Sequence, residues 1–121
     1  MKVQRFEDLI AWQKAREWLK AIYALTRDGG FAKDSGLRDQ FQRAVVSIMS
    51  NLAEGFERGS RPVFHRFVVI AKAPCAEVRS QRYMAFDTGY ITEAQLQQLH
   101  AQANELARIL GGLRISLETQ N

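Results

Sequence analysis

Residues 35–58, SGLRDQFQRAVVSIMSNLAEGFER, decide the fold. Leu37, Phe41, Ala44, Val45, Ile48 and Leu52 recur at spacings of three and four, so they share one side of a helix. Ser35 is a suitable N-cap, and Gly59-Ser60 interrupt the chain just past Arg58, which bounds the helix at both ends. Beside the apolar stripe run Gln40, Arg43, Ser47, Asn51, Glu54 and Arg58, spaced 3, 4, 4, 3 and 4, within about a quarter of the circumference. A solvated face fits that spacing. A hydrogen-bonded seam between helices or subunits fits it too. Ser47 and Asn51 favour the seam, because a solvent face ordinarily carries Glu, Lys or Gln.

The same periodicity extends in both directions. Leu9, Trp12, Ala15, Leu19, Ile22 and Tyr23 predict a first helix from about Asp8 to Arg27, stopped by Gly29-Gly30 and followed by a loop over Phe31 to Gly36. Downstream, Ser60 caps a third helix with Pro62 in its first turn. Phe64, Phe67, Ala71, Val78 and Ala85 carry it to about Phe86, and Pro74 is expected to kink it. The apolar run Phe67 to Ala71 has strand-like composition but sits inside this helical pattern. Asp87 to Tyr90 reads as a turn. Thr92 and Gln95 then form a capping box for a fourth helix, whose core face is Leu96, Leu99, Ala103, Leu106, Leu110 and Leu113. Gly111-Gly112 predict fraying or a close approach to a neighbour. Four such helices joined by short loops specify an all-α fold, an antiparallel up-and-down four-helix bundle, as one domain over residues 1–121.

Composition agrees. The chain has 121 residues, 46% of them hydrophobic and 25% charged, with 8 Gly and 2 Pro, so it is neither fibrous nor low-complexity. Its single cysteine, Cys75, closes no intrachain disulfide and suits a reducing compartment. The opening MKVQRFEDLIAW becomes acidic and aromatic too early for a signal peptide, and no run approaches the ~18 apolar residues of a membrane helix. A cytoplasmic protein without membrane contact is expected.

Residues with chemistry are sparse. His65 and His100 lie on different helices with no second ligand at i+3 or i+4, so no metal site is expected. Gly55-Phe56-Glu57-Arg58-Gly59 lacks the Lys-Ser/Thr ending of a P-loop, and no strand precedes it. Nucleophile-elbow signatures are missing as well. Nothing in the chain calls for catalysis or a cofactor. Charge points elsewhere: the formal net charge is +4, and residues 61–90 hold five cations against two carboxylates. On the third helix Arg61, His65, Lys72, Arg79 and Arg82 project within about 100° of one another. Such a stripe can follow nucleic-acid phosphates, although a solvated flank accounts for it equally well. No base-reading module is present, so binding would be led by backbone and shape.

The central stretch Gln-x-x-Arg-Ala-x-x-Ser-Ile-x-x-Asn-x-Ala-Glu-Gly, Gln40 to Gly55, resembles the signature of the bacterial four-helix-bundle family encoded in intervening sequences of 23S ribosomal RNA genes. Phe6-x-Asp8-Leu9-x-x-Trp12-x-x-Ala15, Phe67-x-x-x-Ala71 with Glu77, and Gly89-Tyr90-Ile91 resemble its other landmarks. The resemblance implies a homopentameric ring with no known catalysis. A related branch, the accessory variability proteins of diversity-generating retroelements, forms similar pentamers that bind nucleic acid and a reverse transcriptase. It also makes Gln40, Arg43, Ser47, Asn51, Glu54 and Gly55 motif positions, for contacts within the bundle or between subunits. The chain departs from the family pattern at Met49, where proline is frequent, and at Pro74, where serine is usual. The expectation is a non-enzymatic pentamer binding structured RNA or an RNA–DNA hybrid through Arg61, His65, Lys72, Arg79 and Arg82. The alternative is a scaffold ring for a protein partner such as a nucleic-acid enzyme.

Overall fold

The computed structural model describes residues 3–119. Among them the chain forms a 3₁₀ turn at Phe6–Asp8 and then α1 (Ile10–Thr26), α2 (Gly29–Lys33), α3 (Ser35–Glu57), α4 (Arg61–Asp87) and α5 (Glu93–Thr119), with no strand. The strand-like run Phe67 to Ala71 lies well inside α4.

The four long helices form a bundle in which α1 packs on α3, α3 on α4, α4 on α5, and α5 closes the ring on α1. Side-chain pairs fix the directions. Arg82, late in α4, meets His100, early in α5, whereas His65 near the start of α4 meets Glu118 near the end of α5. Neighbours are therefore antiparallel, as short connections require. The interior is apolar: Trp18, Ile22, Phe41, Ile48, Val68 and Leu106 are all sealed from solvent. Burying side chains of this size contributes roughly 1.5–3 kcal/mol each, and that burial holds the helices together.

Local chemistry sets the ends. Ser60 Oγ accepts from the Val63 N–H at 3.2 Å, with proline following in the first turn of α4. The capping box before α5 is reciprocal: Gln95 Oε1 accepts from the Thr92 N–H at 2.8 Å, and Thr92 Oγ1 accepts from the Gln95 N–H at 3.1 Å. Gly59, at φ +81°, supplies the left-handed residue that turns the chain from α3 into α4.

Three expectations change. The cap of α3 is Asp34, one residue before Ser35, and its Oδ1 accepts from the Leu37 N–H at 3.1 Å. The expected loop over Phe31 to Gly36 instead begins in the short helix α2. Phe31 forces that order: it is 1% exposed, stacked on Tyr90 and edge-on to Phe41 with ring centroids 5.3 and 5.6 Å away. Pro74 lies inside α4, which runs from Arg61 to Asp87, with the proline buried on its α3 side. Finally, α5 continues through Gly111 and Gly112 to Thr119. A Cβ built on either glycine meets nothing within 4 Å, so neither marks a close approach.

Candidate nucleic-acid interface

Helix α4 buries Phe64, Val68, Ala71, Cys75 and Val78 and leaves two flanks, one leaning on α3 and the other on α5. The sequence-predicted site residues divide between them.

The α3 side carries the polar seam. Gly55 is buried because α3 and α4 touch there: a Cβ at this position would lie 2.4 Å from Phe67 Cβ, closer than two carbons pack. Asn51 Nδ2 donates to the Ser47 carbonyl at 2.8 Å and to Ser47 Oγ at 3.1 Å, and both side chains are half-buried. Glu54 and Arg58 pair at 2.8 Å in the open, with the guanidinium 5.5 Å from the centre of the Phe67 ring. Gln40 and Arg43 are exposed and, with Ser47, Pro74 and Glu77, frame a shallow groove of about 240 Å³. The seam thus lies on the outside of the bundle along the α3–α4 junction. Beside it Ile70 and Met84, two turns to either side of Glu77 on the same face of α4, are 45% and 48% exposed.

The α5 side carries the cations, and the structure separates the five predicted ones. Lys72 and Arg79 are exposed, about 10 Å apart along the helix, and have no carboxylate partner among the described residues. They rim a hollow of about 150 Å³ floored by Cys75, Ala76, Ala107 and Leu110. Burial pushes the Cys75 thiol up, partly offset by the charge of Arg79, so it stays protonated and unreactive at neutral pH. Arg61 is exposed at the head of α4, beside an apolar hollow at the end of the bundle.

His65 and Arg82 do not extend that free row. His65 Nε2 lies 2.8 Å from Glu118 Oε2, which also accepts from Arg114 Nη1 at 2.7 Å. The His65 hydrogen bond, with help from Arg114, holds the Glu118 carboxyl below its usual range. Arg82 is 3% exposed, so it cannot touch a phosphate from the surface. An arc of ~100° on a helix reaches from solvent to core, and Arg82 lies at its buried edge, between Val78 and Ala85. Its Nη2 donates to His100 Nδ1 at 2.6 Å and to the Tyr83 hydroxyl at 3.2 Å, while its Nε and Nη1 are buried without partners. A guanidinium has only donors, so His100 Nδ1 accepts from Arg82, and the Asn104 Nδ2 lies 3.1 Å from His100 Nε2 on the other side of the ring.

Tyr83 is the residue that the sequence reading missed. It continues the exposed row Lys72–Arg79 at the next i+4 position and is 50% exposed, so the spacing itself was the available signal. Among the described residues no three His, Cys, Asp or Glu side chains gather to hold a metal, and no helix is long and apolar enough to cross a membrane.

The family model for the 23S rRNA-intervening sequence protein matches residues 7–112. A solved structure from Bacteroides thetaiotaomicron, described as a protein of unknown function from the S23 ribosomal protein family, shares the fold with a TM-score of 0.77. The two are 22% identical, over 87% of this chain and 98% of that one. No curated protein sequence matches the chain.

Proposed function

The chain belongs to the 23S rRNA-intervening sequence protein family, and from that membership we propose that it is a non-enzymatic homopentamer that binds nucleic acid, as structured RNA or an RNA–DNA hybrid. One observation carries the reading: Lys72 and Arg79 stand exposed on the α5 flank of α4 with no carboxylate partner among the described residues. Cations that spend no charge inside the fold are the ones available to phosphates. Each phosphate they neutralise releases condensed counterions, which drives binding without base recognition.

Assembly belongs to the other flank. Ile70 and Met84 give the α3–α4 face exposed apolar area, and the Gln40–Arg43–Ser47 row beside it offers hydrogen-bonding groups for register. A ring built on that face repeats the cationic flank five times, so individually weak phosphate contacts combine into avidity. Arg61 lies on the same cationic side, whereas Arg82 supports the flank from within and His65 is held at the surface by Glu118.

Native mass spectrometry of protein purified without nuclease tests both halves. A pentamer carrying mass that RNase or DNase removes is the expected result. A pentamer with no such mass, and no measurable affinity for RNA or hybrid, removes the nucleic-acid half and leaves the scaffold alternative. A monomer removes the assembly half.

A further inference from the structure

We infer that the α4–α5 flank takes a single-stranded segment, such as an unpaired loop of a folded RNA, with one base stacked on Tyr83. The inference rests on the nucleic-acid reading above and goes further by naming the form of the strand. Tyr83 stands one turn beyond Arg79, about 6 Å along the axis, so an aromatic face ends the row of free cations. The ring is held in place. The Arg82 guanidinium lies over one face, 4.8 Å from the ring centre, which leaves the opposite face for a base, and Arg82 Nη2 donates to the ring's hydroxyl at 3.2 Å. Arg82 is itself locked against His100. The polar end of the tyrosine is thereby occupied inside the protein, while half of the side chain remains in solvent.

A fixed aromatic face beside phosphate-binding cations is the arrangement used to bind single strands, because every base presents a π-face once it leaves the helical stack. A continuous duplex offers none: its bases cover one another, and only phosphates and groove edges reach the surface. Asn104 is exposed at the same end, its side-chain amide 3.1 Å from His100 Nε2.

Fluorescence anisotropy at fixed salt tests this with three labelled probes of equal length: an unstructured RNA strand, an RNA duplex and an RNA–DNA hybrid. The strand is expected to bind most tightly. Tyr83→Ala should weaken it by about 5- to 150-fold and leave the duplex within twofold. Tyr83→Trp should restore strand binding, with indole fluorescence quenched on saturation. Equal affinity for all three probes, with no effect of Tyr83→Ala, overturns the stacking inference and leaves the polyanion reading standing. Failure of all three to bind overturns both. Thermal melts of each variant confirm that the bundle is folded.

Discussion

The two flanks of α4 are built from the same helix and solve opposite problems. Toward α3 the chain pairs the lower part of its polar seam with itself, Asn51 on Ser47 and Glu54 on Arg58, cuts a glycine away so that Phe67 can seat against the backbone, and leaves Gln40 and Arg43 open beside exposed Ile70 and Met84. Toward α5 it leaves Lys72 and Arg79 without a carboxylate partner among the described residues, commits buried Arg82 to His100, and pairs His65 with Glu118 at the surface. Satisfied polar groups beside exposed apolar ones suit contact with another copy of the chain. Unsatisfied cations suit a diffusing polyanion. The difference shows that a stripe of like residues on a helical wheel is not one functional unit, because burial divides it.

The sharpest way to break this contrast is to attack the α3 flank. Placing aspartate at both Ile70 and Met84 is expected to convert the proposed pentamer to monomer in native mass spectrometry while the helical circular dichroism persists. Two charges cannot be buried in an apolar contact without partners. Next in size, Lys72→Glu with Arg79→Glu should lower RNA affinity at least ~100-fold and flatten the dependence of log K on log salt, without altering the oligomer. If that double variant dissociates the ring instead, the two flanks have been assigned the wrong way round. Gly55→Ala is expected to destabilise the fold by about 1–3 kcal/mol in denaturant titration, since the new methyl meets Phe67 at its least movable atom.

Smaller effects sharpen the picture at the bundle ends. Asp34 is held below its ordinary 3.8 by the Leu37 N–H and then by the Tyr90 hydroxyl. Its contribution to stability is therefore complete above pH ~3.8 and is lost as pH falls through the depressed value. Tyr90, raised above 10 chiefly by its bond to Asp34, contributes stability that is complete below pH ~10 and lost as pH rises through the raised value. Asp34→Asn should flatten the acid limb of a melting-temperature profile. Gly111→Ala, which meets nothing, is expected to stabilise by only about 0.5–1 kcal/mol through helix propensity, and it should leave assembly untouched.

How much of this was legible depended on distance along the chain. Ser60 and the Thr92–Gln95 box act across three residues, and the sequence showed both. Asp34 was missed by one position because Ser35 beside it has equal local credentials. Its advantage is the Tyr90 hydroxyl 2.9 Å away, far along the chain. Phe31 and α2 were illegible for the same reason, their partners being Phe41 and Tyr90. The first helix was read with Trp12 on its core face, whereas Trp18 is the sealed indole and Trp12 packs at the edge against Phe6. Two stripes one residue apart satisfy the same three–four spacing, and periodicity alone cannot choose between them. The cationic row failed in part for that reason too. Lys72 and Arg79 are exposed, but only tertiary packing reveals that Arg82 turns inward and that Glu118 engages His65.

The chain's lone thiol gives the bundle a clock. Cys75 lies on the floor between Lys72 and Arg79, 3% exposed and protonated, so a thiol reagent reaches it only when α4 and α5 part. Its labelling rate under native conditions therefore times the local opening of that helix pair rather than the chemistry of the sulfur. Compared with the rate in denaturant, it gives the opening free energy of one seam in an otherwise closed molecule. A polyanion lying across the two cations should slow the clock, which makes an unmodified residue a reporter of occupancy.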